Sequence, residues 1–282
     1  MYPIVSHNKT VVFYGSCQLE AISKLLNKII KFKNSKIIIN WQYMIANTEL
    51  PEYLFDCDIF IYQPYSGPKV KYHTKEIISK LKKDVKIISI PFLSFGGYWA
   101  DSITDIRNNL TKTNKLIYGL FPQQSFELSK YLTLKEAYEN FDKNVISSDK
   151  IKQHLEICFE KMQQVEENCD IKVVNYIRDN YKTEQVFFTI QHPCNNLLIF
   201  TVQQILKLLN ILDSTNSLQI IPELLFVHTV MILPCIKKEL ILEFPSINKI
   251  FGNGFVSDKE YVKIYFENIN CKKLGMDFWN EK

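Results

Sequence analysis

Thr10-Val-Val-Phe-Tyr-Gly-Ser-Cys-Gln18 is the stretch that decides how this chain folds. Thr10 to Tyr14 is an apolar run ending at Gly15, as suits a central parallel strand buried on both faces. Leu19, Ile22, Leu25, Leu26, Ile29 and Ile30 then recur at helical spacing, so a helix is expected to begin directly after Cys17 and pack on that strand. A small residue at the junction lets the chain turn sharply. The next side chains then sit at a helix N-terminus, where unpaired N–H groups and the helix dipole stabilise negative charge. Cys17 has a reason to ionise there, because such positions lower a thiol from about 8.5 to roughly 3.5–7.5. It could act as a thiolate nucleophile, with adjacent N–H groups holding an oxyanion. The plain alternative is a small buried residue under a tight turn.

Working outward, Ile37–Ile39 and Ile59–Tyr62 read as further strands, Lys75–Lys83 as a crossover helix, and Lys86–Ile90 as the next strand before Pro91. This strand–helix–strand rhythm predicts an α/β fold with a doubly wound, mostly parallel sheet. From about residue 123 the pattern turns helical, with a capping box at Thr133-Leu-Lys-Glu136 and a long amphipathic run over Ser147–Cys169. Phe187–Ile190 restores a β-type run, where the sheet is expected to resume, and Asn195–Leu209 is a helix following His192-Pro193. Ser257-Asp-Lys-Glu260 is expected to cap one more helix over 258–267. The organisation expected is an α/β core of residues 1–122 and 184–282, interrupted by a helical lobe at 123–183.

Composition removes whole classes of function. The 282 residues are 46% hydrophobic and 23% charged, which excludes wholesale disorder, collagen-like repeats and coiled coils. Thirty-four basic residues against thirty acidic leave a net charge of +4, and only Arg107 and Arg178 are arginines. A nucleic-acid reader built on guanidinium forks is therefore not expected. Lys69, Lys71, Lys75, Lys80, Lys82 and Lys83 form the densest basic region. They read as a solvated helix face, or as lysines meeting cofactor phosphates, an anionic glycan or a membrane surface. Seven cysteines, with no CxxC pair and no secretory leader ahead of them, suggest reduced thiols in the cytoplasm. The longest apolar stretch, 220–236, is interrupted by Pro222, Glu223, His228 and Pro234, so no transmembrane helix is expected. His7, His73, His154, His192 and His228 lack H-x-x-x-H spacing, so no metal site is expected, and no Walker or Rossmann glycine pattern follows Tyr14.

The second chemical signal is Thr189-Ile-Gln-His192-Pro193. A histidine just past a strand's C-terminal end lies on the edge where open α/β sheets place their sites, and Cys17 follows a strand in the same way. A Cys17–His192 pair is thus geometrically reasonable, against the ordinary alternative of a structural or exposed histidine.

These residues resemble two families. Gly15-Ser16-Cys17 resembles the first block of the SGNH/GDSL esterases and acetyltransferases, and His192-Pro193 their late His-Pro block. The nucleophile position here holds Cys17, and Thr189 stands where their acid usually precedes the histidine. A closer resemblance is to the WcbI family of capsule polysaccharide biosynthesis enzymes. Its Gly-Asn-Cys-Gln turn is similar to Gly15-Ser16-Cys17-Gln18, with serine in place of asparagine. Its strand ending in Gln-Pro resembles Asp58–Pro64, and its proline–aromatic–Asp segment resembles Ile88–Pro91 with Gly97-Tyr98-Trp99-Ala100-Asp101. Its Phe-x-x-x-His-Pro-x-Asn resembles Phe188–Asn195.

The resemblance implies an SGNH-like core and a cytoplasmic O-acetyltransferase taking acetyl-coenzyme A as donor and a sugar or glycan as acceptor. Cys17 would be the acyl-accepting nucleophile or line the transfer centre, and His192 the general base. Gly15, Ser16, Gln18, Gln63, Tyr98, Asp101 and Asn195 would form the oxyanion and substrate-binding set, with Lys69 and Lys71 as candidates for the cofactor. Turn or cap roles for Gln18 and Gln63, a solvent-exposed loop role for Asp101 and an N-cap role for Asn195 are the structural alternatives. Two other functions remain open at this point: an esterase or deacetylase using the same site, and a non-catalytic carbohydrate-binding module of the same fold.

Overall fold

Val11, Val12, Phe13 and Tyr14 are entirely shielded from solvent, as expected of a strand with apolar side chains on both faces. In the computed structural model this strand, β1 (Val5–Gly15), lies inside a four-stranded sheet. The structure describes residues 5–39, 49–65, 73–100, 133–141, 143, 146–211, 218, 222–226, 229–245, 247–250 and 254–263. They belong to two compact units. The first comprises Met1–Leu93, Met162–Ile177 and Pro193–Leu225; the second comprises Ser94–Lys161, Arg178–His192 and Phe226–Lys282.

The first unit holds the sheet. Helix α1 (Cys17–Ile29) follows β1 and leads without a loop into β2 (Ile30–Ile39). Then come β3 (Ile59–Tyr62), α2 (Thr74–Lys80) and β4 (Lys86–Ser89). The strand order is β2-β1-β3-β4, and every pairing is parallel. β2 starts seven residues earlier than the Ile37–Ile39 run suggests, since Ile30 pairs with Val5. Ile30 had counted as the last residue of the helical stripe; it belongs instead to an alternating segment in which Ile30 and Phe32 are buried and Lys31 and Lys33 exposed. The helical stripe itself, Leu19, Ile22, Leu25, Leu26 and Ile29, is buried, and α1 packs against β1, β2 and the later helix α6 (Asn195–Leu208). Asp58 fastens the lower end of the sheet: its carboxylate accepts the Thr10 N–H at 2.7 Å and meets Lys82 Nζ at 3.2 Å. That Thr10 hydrogen bond holds the Asp58 carboxyl below the usual carboxylate range.

The second unit is built on aromatic packing. Phe95 has ring centroids of Tyr98, Phe159 and Phe187 at 5.2, 5.3 and 5.7 Å. Helix α3 (Leu134–Phe141) carries the expected capping box, with Thr133 N–H donating to Glu136 Oε2 at 2.9 Å and Glu136 N–H donating to Thr133 Oγ1 at 3.2 Å. Helices α4 (Ser148–Glu166) and α5 (Val174–Asn180) come next in the chain. β5 (Phe187–Thr189) does not resume the parallel sheet: it pairs with the two-residue β6 (His192–Pro193). The carbonyls that flank it are taken by loop N–H groups, Phe188 O by Val230 and Ile190 O by Phe95. Helix α7 (Pro234–Leu240) starts with proline in its first turn, and a hairpin of β7 (Asn248–Ile250) and β8 (Gly254–Val256) follows.

Helix α7 ends at Ile241, which adopts the left-handed conformation with φ 53° while 65% exposed. A β-branched residue is strained there, and glycine is not. Ile241→Gly should therefore stabilise the protein by about 1 kcal/mol, seen as a higher midpoint in a thermal melt.

Candidate active site

The order β2-β1-β3-β4 reverses direction between β1 and β3, because the chain fills one side of β1 before returning to the other. In open parallel sheets the crevice outside the carboxyl ends of such a strand pair is where ligands bind. Gly15-Ser16-Cys17-Gln18 follows β1 and Gln63 follows β3, so both motifs stand at this switch point.

Ser16 is the N-cap of α1, and its Oγ accepts the Gln18 N–H at 3.3 Å. Its hydroxyl donates to Gln63 Oε1 at 2.7 Å, and its N–H donates to the same oxygen at 2.9 Å. Gln63 Nε2 donates to Gln18 Oε1 at 2.9 Å. Gln18 Oε1 also accepts the Leu93 N–H at 2.9 Å, while Gln18 Nε2 donates to Leu93 O at 2.7 Å. Both glutamines are buried. Gly15 is needed for space rather than for an unusual backbone angle: a Cβ there would lie 2.8 Å from Gln63 Oε1 and 2.9 Å from Leu19 Cδ2.

Cys17 is half-buried in this turn. The N–H groups of Gln18 and of Cys17 itself face the sulfur and favour the thiolate, as expected of a helix terminus. Burial is the larger effect, and with the nearby Glu20 carboxylate it pushes the Cys17 thiol above the ordinary cysteine value. Burial thus opposes the ionisation that the helix terminus favours and shifts Cys17 toward the thiol form. Its reaction with iodoacetamide, followed on the Cys17 peptide, should rise with pH through a midpoint above the ordinary value of about 8.5.

His192 lies in the second unit, half-buried at the start of β6. Because β5 stands outside the parallel sheet, His192 does not follow a strand of the sheet that carries Cys17. Burial holds its imidazole below the ordinary histidine range, so the ring is neutral near pH 7. Thr189, at the position of the SGNH acid, spends its hydroxyl on the turn, accepting N–H groups from Gln191 at 3.3 Å and His192 at 3.1 Å.

The remaining expected site residues fall apart into separate roles. Tyr98 is fully buried, and its hydroxyl donates to Tyr181 O at 2.8 Å and accepts the Val186 N–H at 3.4 Å, which makes it part of the core of the second unit. Asn195 is the first residue of α6 rather than its N-cap, which is Cys194. Its N–H donates to Glu223 Oε2 at 2.7 Å, its Nδ2 to Pro222 O at 3.1 Å, and its Oδ1 accepts the Leu224 N–H at 3.1 Å. Asp101, Lys69 and Lys71 lie outside the described residues. Leu93 carried no chemical signal in the sequence, since it contributes only backbone atoms. The Ser89–Asp170 pair likewise has no local sequence signal: Asp170 Oδ2 accepts both the N–H and the hydroxyl of Ser89 at 2.7 Å, at the end of β4.

Residues 10–214 match the family described as polysaccharide biosynthesis enzyme WcbI. The chain belongs to the WcbI family. A solved structure of WcbI, described as a novel polysaccharide biosynthesis enzyme, superposes with a TM-score of 0.71 over 94% of this chain and 90% of its own, at 16% identity. That structure is described as the native protein without a disulfide bond between coenzyme A and a cysteine. At this identity the likeness establishes a shared fold. No curated protein matches the sequence. Among the described residues, no helix is long and apolar enough to cross a membrane.

Proposed function

We propose that this WcbI-family protein is an acetyl-coenzyme A-dependent O-acetyltransferase acting on a sugar in the biosynthesis of capsule or another surface polysaccharide. The observation that carries the reading is the thiol of Cys17 on a capped helix N-terminus at the switch point of a parallel sheet. The solved WcbI structure is described as lacking a disulfide bond between coenzyme A and a cysteine, wording that pairs this donor with a thiol and supports a thiol-centred encounter. The reading includes a cytoplasmic setting and an SGNH-like core of residues 1–122 and 184–282 around a helical lobe at 123–183.

The chemistry follows from the resting states of the two groups. Neutral His192 takes the proton of the Cys17 thiol as the sulfur attacks the acetyl carbonyl carbon. The bond from that carbon to the sulfur of coenzyme A breaks, and coenzyme A leaves as a thiol with the proton from His192. A sugar hydroxyl then attacks acetyl-Cys17, gives its proton to His192, and Cys17 regains a proton as the ester leaves. Gln18 and Gln63 hold the turn, while Asp101 is the candidate to orient His192 or bind a sugar hydroxyl, and Lys69 and Lys71 are the candidates for the donor's phosphates.

The experiment is to incubate the protein with acetyl-coenzyme A and a panel of sugar nucleotides, measuring free coenzyme A and acetylated sugar together. Stoichiometric release of both supports transfer. Acetate released from acetylated sugar, without consumption of acetyl-coenzyme A, would show a hydrolase instead. The pH profile is a separate check. Because the His192 pKa is lowered, the base is lost only as pH falls through a midpoint below about 6.5. The rate should therefore hold its plateau through pH 7 and decline on the acid side, and His192→Ala should remove that limb along with the activity.

A further inference from the structure

The carboxamides beneath Cys17 leave no choice of orientation. Ser16 N–H is only a donor, so the Gln63 atom 2.9 Å from it is the oxygen. Ser16 Oγ already accepts the Gln18 N–H, so its own hydrogen goes to the same Gln63 oxygen at 2.7 Å. Gln63 Nε2 is then turned toward Gln18, where it meets Oε1 at 2.9 Å. Leu93 fixes the far end, with its N–H on Gln18 Oε1 and its carbonyl receiving Gln18 Nε2. Each bond from Ser16 to Leu93 thus runs in one direction. Gln18 is 0% and Gln63 2% exposed, so water does not replace a lost partner here.

We propose that Gln63 is a positioning residue for Cys17, holding Ser16 and Gln18 so that the N–H groups of residues 17 and 18 stay aimed at the sulfur. This rests on the reading of Cys17 as the reacting thiol. Cys17 sits between the two residues that the network grips, and it reaches the network only through the backbone. Ser16, capping the helix while donating to Gln63, couples the strand β3 end to the helix that carries the thiol. A glutamate at 63 cannot do this once ionised, because it offers Gln18 Oε1 no hydrogen.

The test is iodoacetamide alkylation of the full chain across a pH series, read on the Cys17 peptide by mass spectrometry. In Gln63→Glu the Gln18 oxygen keeps the Leu93 N–H but loses the hydrogen supplied by residue 63, and a negative charge appears beside the turn. The Cys17 midpoint should move up by about one pH unit or more. Mere loosening would expose the thiol and move the midpoint down toward the ordinary value; that result, or an unchanged midpoint, overturns the proposal. If Gln63→Glu fails to fold, the half-exposed Ser16 decides. Ser16→Ala should slow alkylation near neutral pH by about threefold to tenfold, whereas Ser16→Asn, which restores one acceptor and one donor, should react as the native protein does. Equal rates for Ser16→Ala and native protein, or failure of Ser16→Asn to rescue, overturn it as well. Alkylation needs no coenzyme A, so failure of acetyl transfer and failure of this positioning role are seen separately.

Discussion

If Cys17 is the acyl-accepting thiol as proposed, Cys17→Ala should lower acetyl transfer from acetyl-coenzyme A by about 10³-fold or more while leaving the thermal midpoint nearly unchanged. The thiol is half-buried, alanine fits the space, and α1 keeps its cap because Ser16 Oγ still accepts the Gln18 N–H. Cys17→Ser should do little better. A hydroxyl is a much weaker acid than a thiol, so its attack depends wholly on proton removal during the step, and the two N–H groups facing the side chain do not make up for that. Single-turnover acetylation gives a second readout: native protein mixed with acetyl-coenzyme A, without sugar, should carry the acetyl group on the Cys17 peptide. Near-native turnover by Cys17→Ala would remove the acyl-cysteine and leave direct transfer to the sugar, with His192 as the base for its hydroxyl.

Gly15→Ala is expected to damage both stability and activity. The added methyl would stand 2.8 Å from Gln63 Oε1, 2.9 Å from Leu19 Cδ2 and 3.2 Å from Leu19 Cβ. A carboxamide end would ordinarily swing aside at small cost. This one is pinned by Ser16 on one side and Gln18 on the other, and moving it takes the acceptor from the Ser16 N–H and one of two donors from the Gln18 oxygen, which keeps the Leu93 N–H. Overpacking costs about 1–3 kcal/mol, and a stranded polar group about 1–3 kcal/mol more. A loss of roughly 3 kcal/mol should lower the thermal midpoint by several degrees. Since the displaced groups hold the Cys17 turn, acetyl transfer should fall in the protein that remains folded. A Gly15→Ala protein with native melting and native turnover would mean that Gln63 relaxes freely and does not grip the turn.

Much of the first unit was legible because it depends on side chains close in sequence. The apolar run of β1, the stripe of α1, the Ile59–Tyr62 strand and the Thr133–Glu136 capping box each show their physical reason within a dozen residues. The start of β2 was not legible, because Ile29-Ile30 continues a helical stripe and an alternating strand equally well. Pairing with Val5 decides between them. The membership of Phe187–Thr189 was not legible either: an apolar run states that it is buried, not which backbone it pairs with. Tyr98 looked like part of a site because it sits in an aromatic motif, yet its hydroxyl is spent on backbone groups of residues 181 and 186, more than eighty positions away.

The sequence by itself determined where a thiol meets a helix N-terminus, since a strand pattern, a glycine and a helix pattern in immediate succession allow little else. It also determined the order of strands and helices that makes an α/β sheet, and the family to which the chain belongs. Only the tertiary structure decided what that thiol is. Burial, a sum over neighbours from distant segments, outweighs the local N–H groups and shifts Cys17 toward the thiol. Tertiary structure also made Gln18 and Gln63 struts, because hydrogen bonds between residues 45 to 75 positions apart form only once β3 and the Leu93 segment lie beside the β1–α1 turn. Local periodicity is written in neighbouring side chains. Desolvation and long-range hydrogen bonding exist only after the chain has folded.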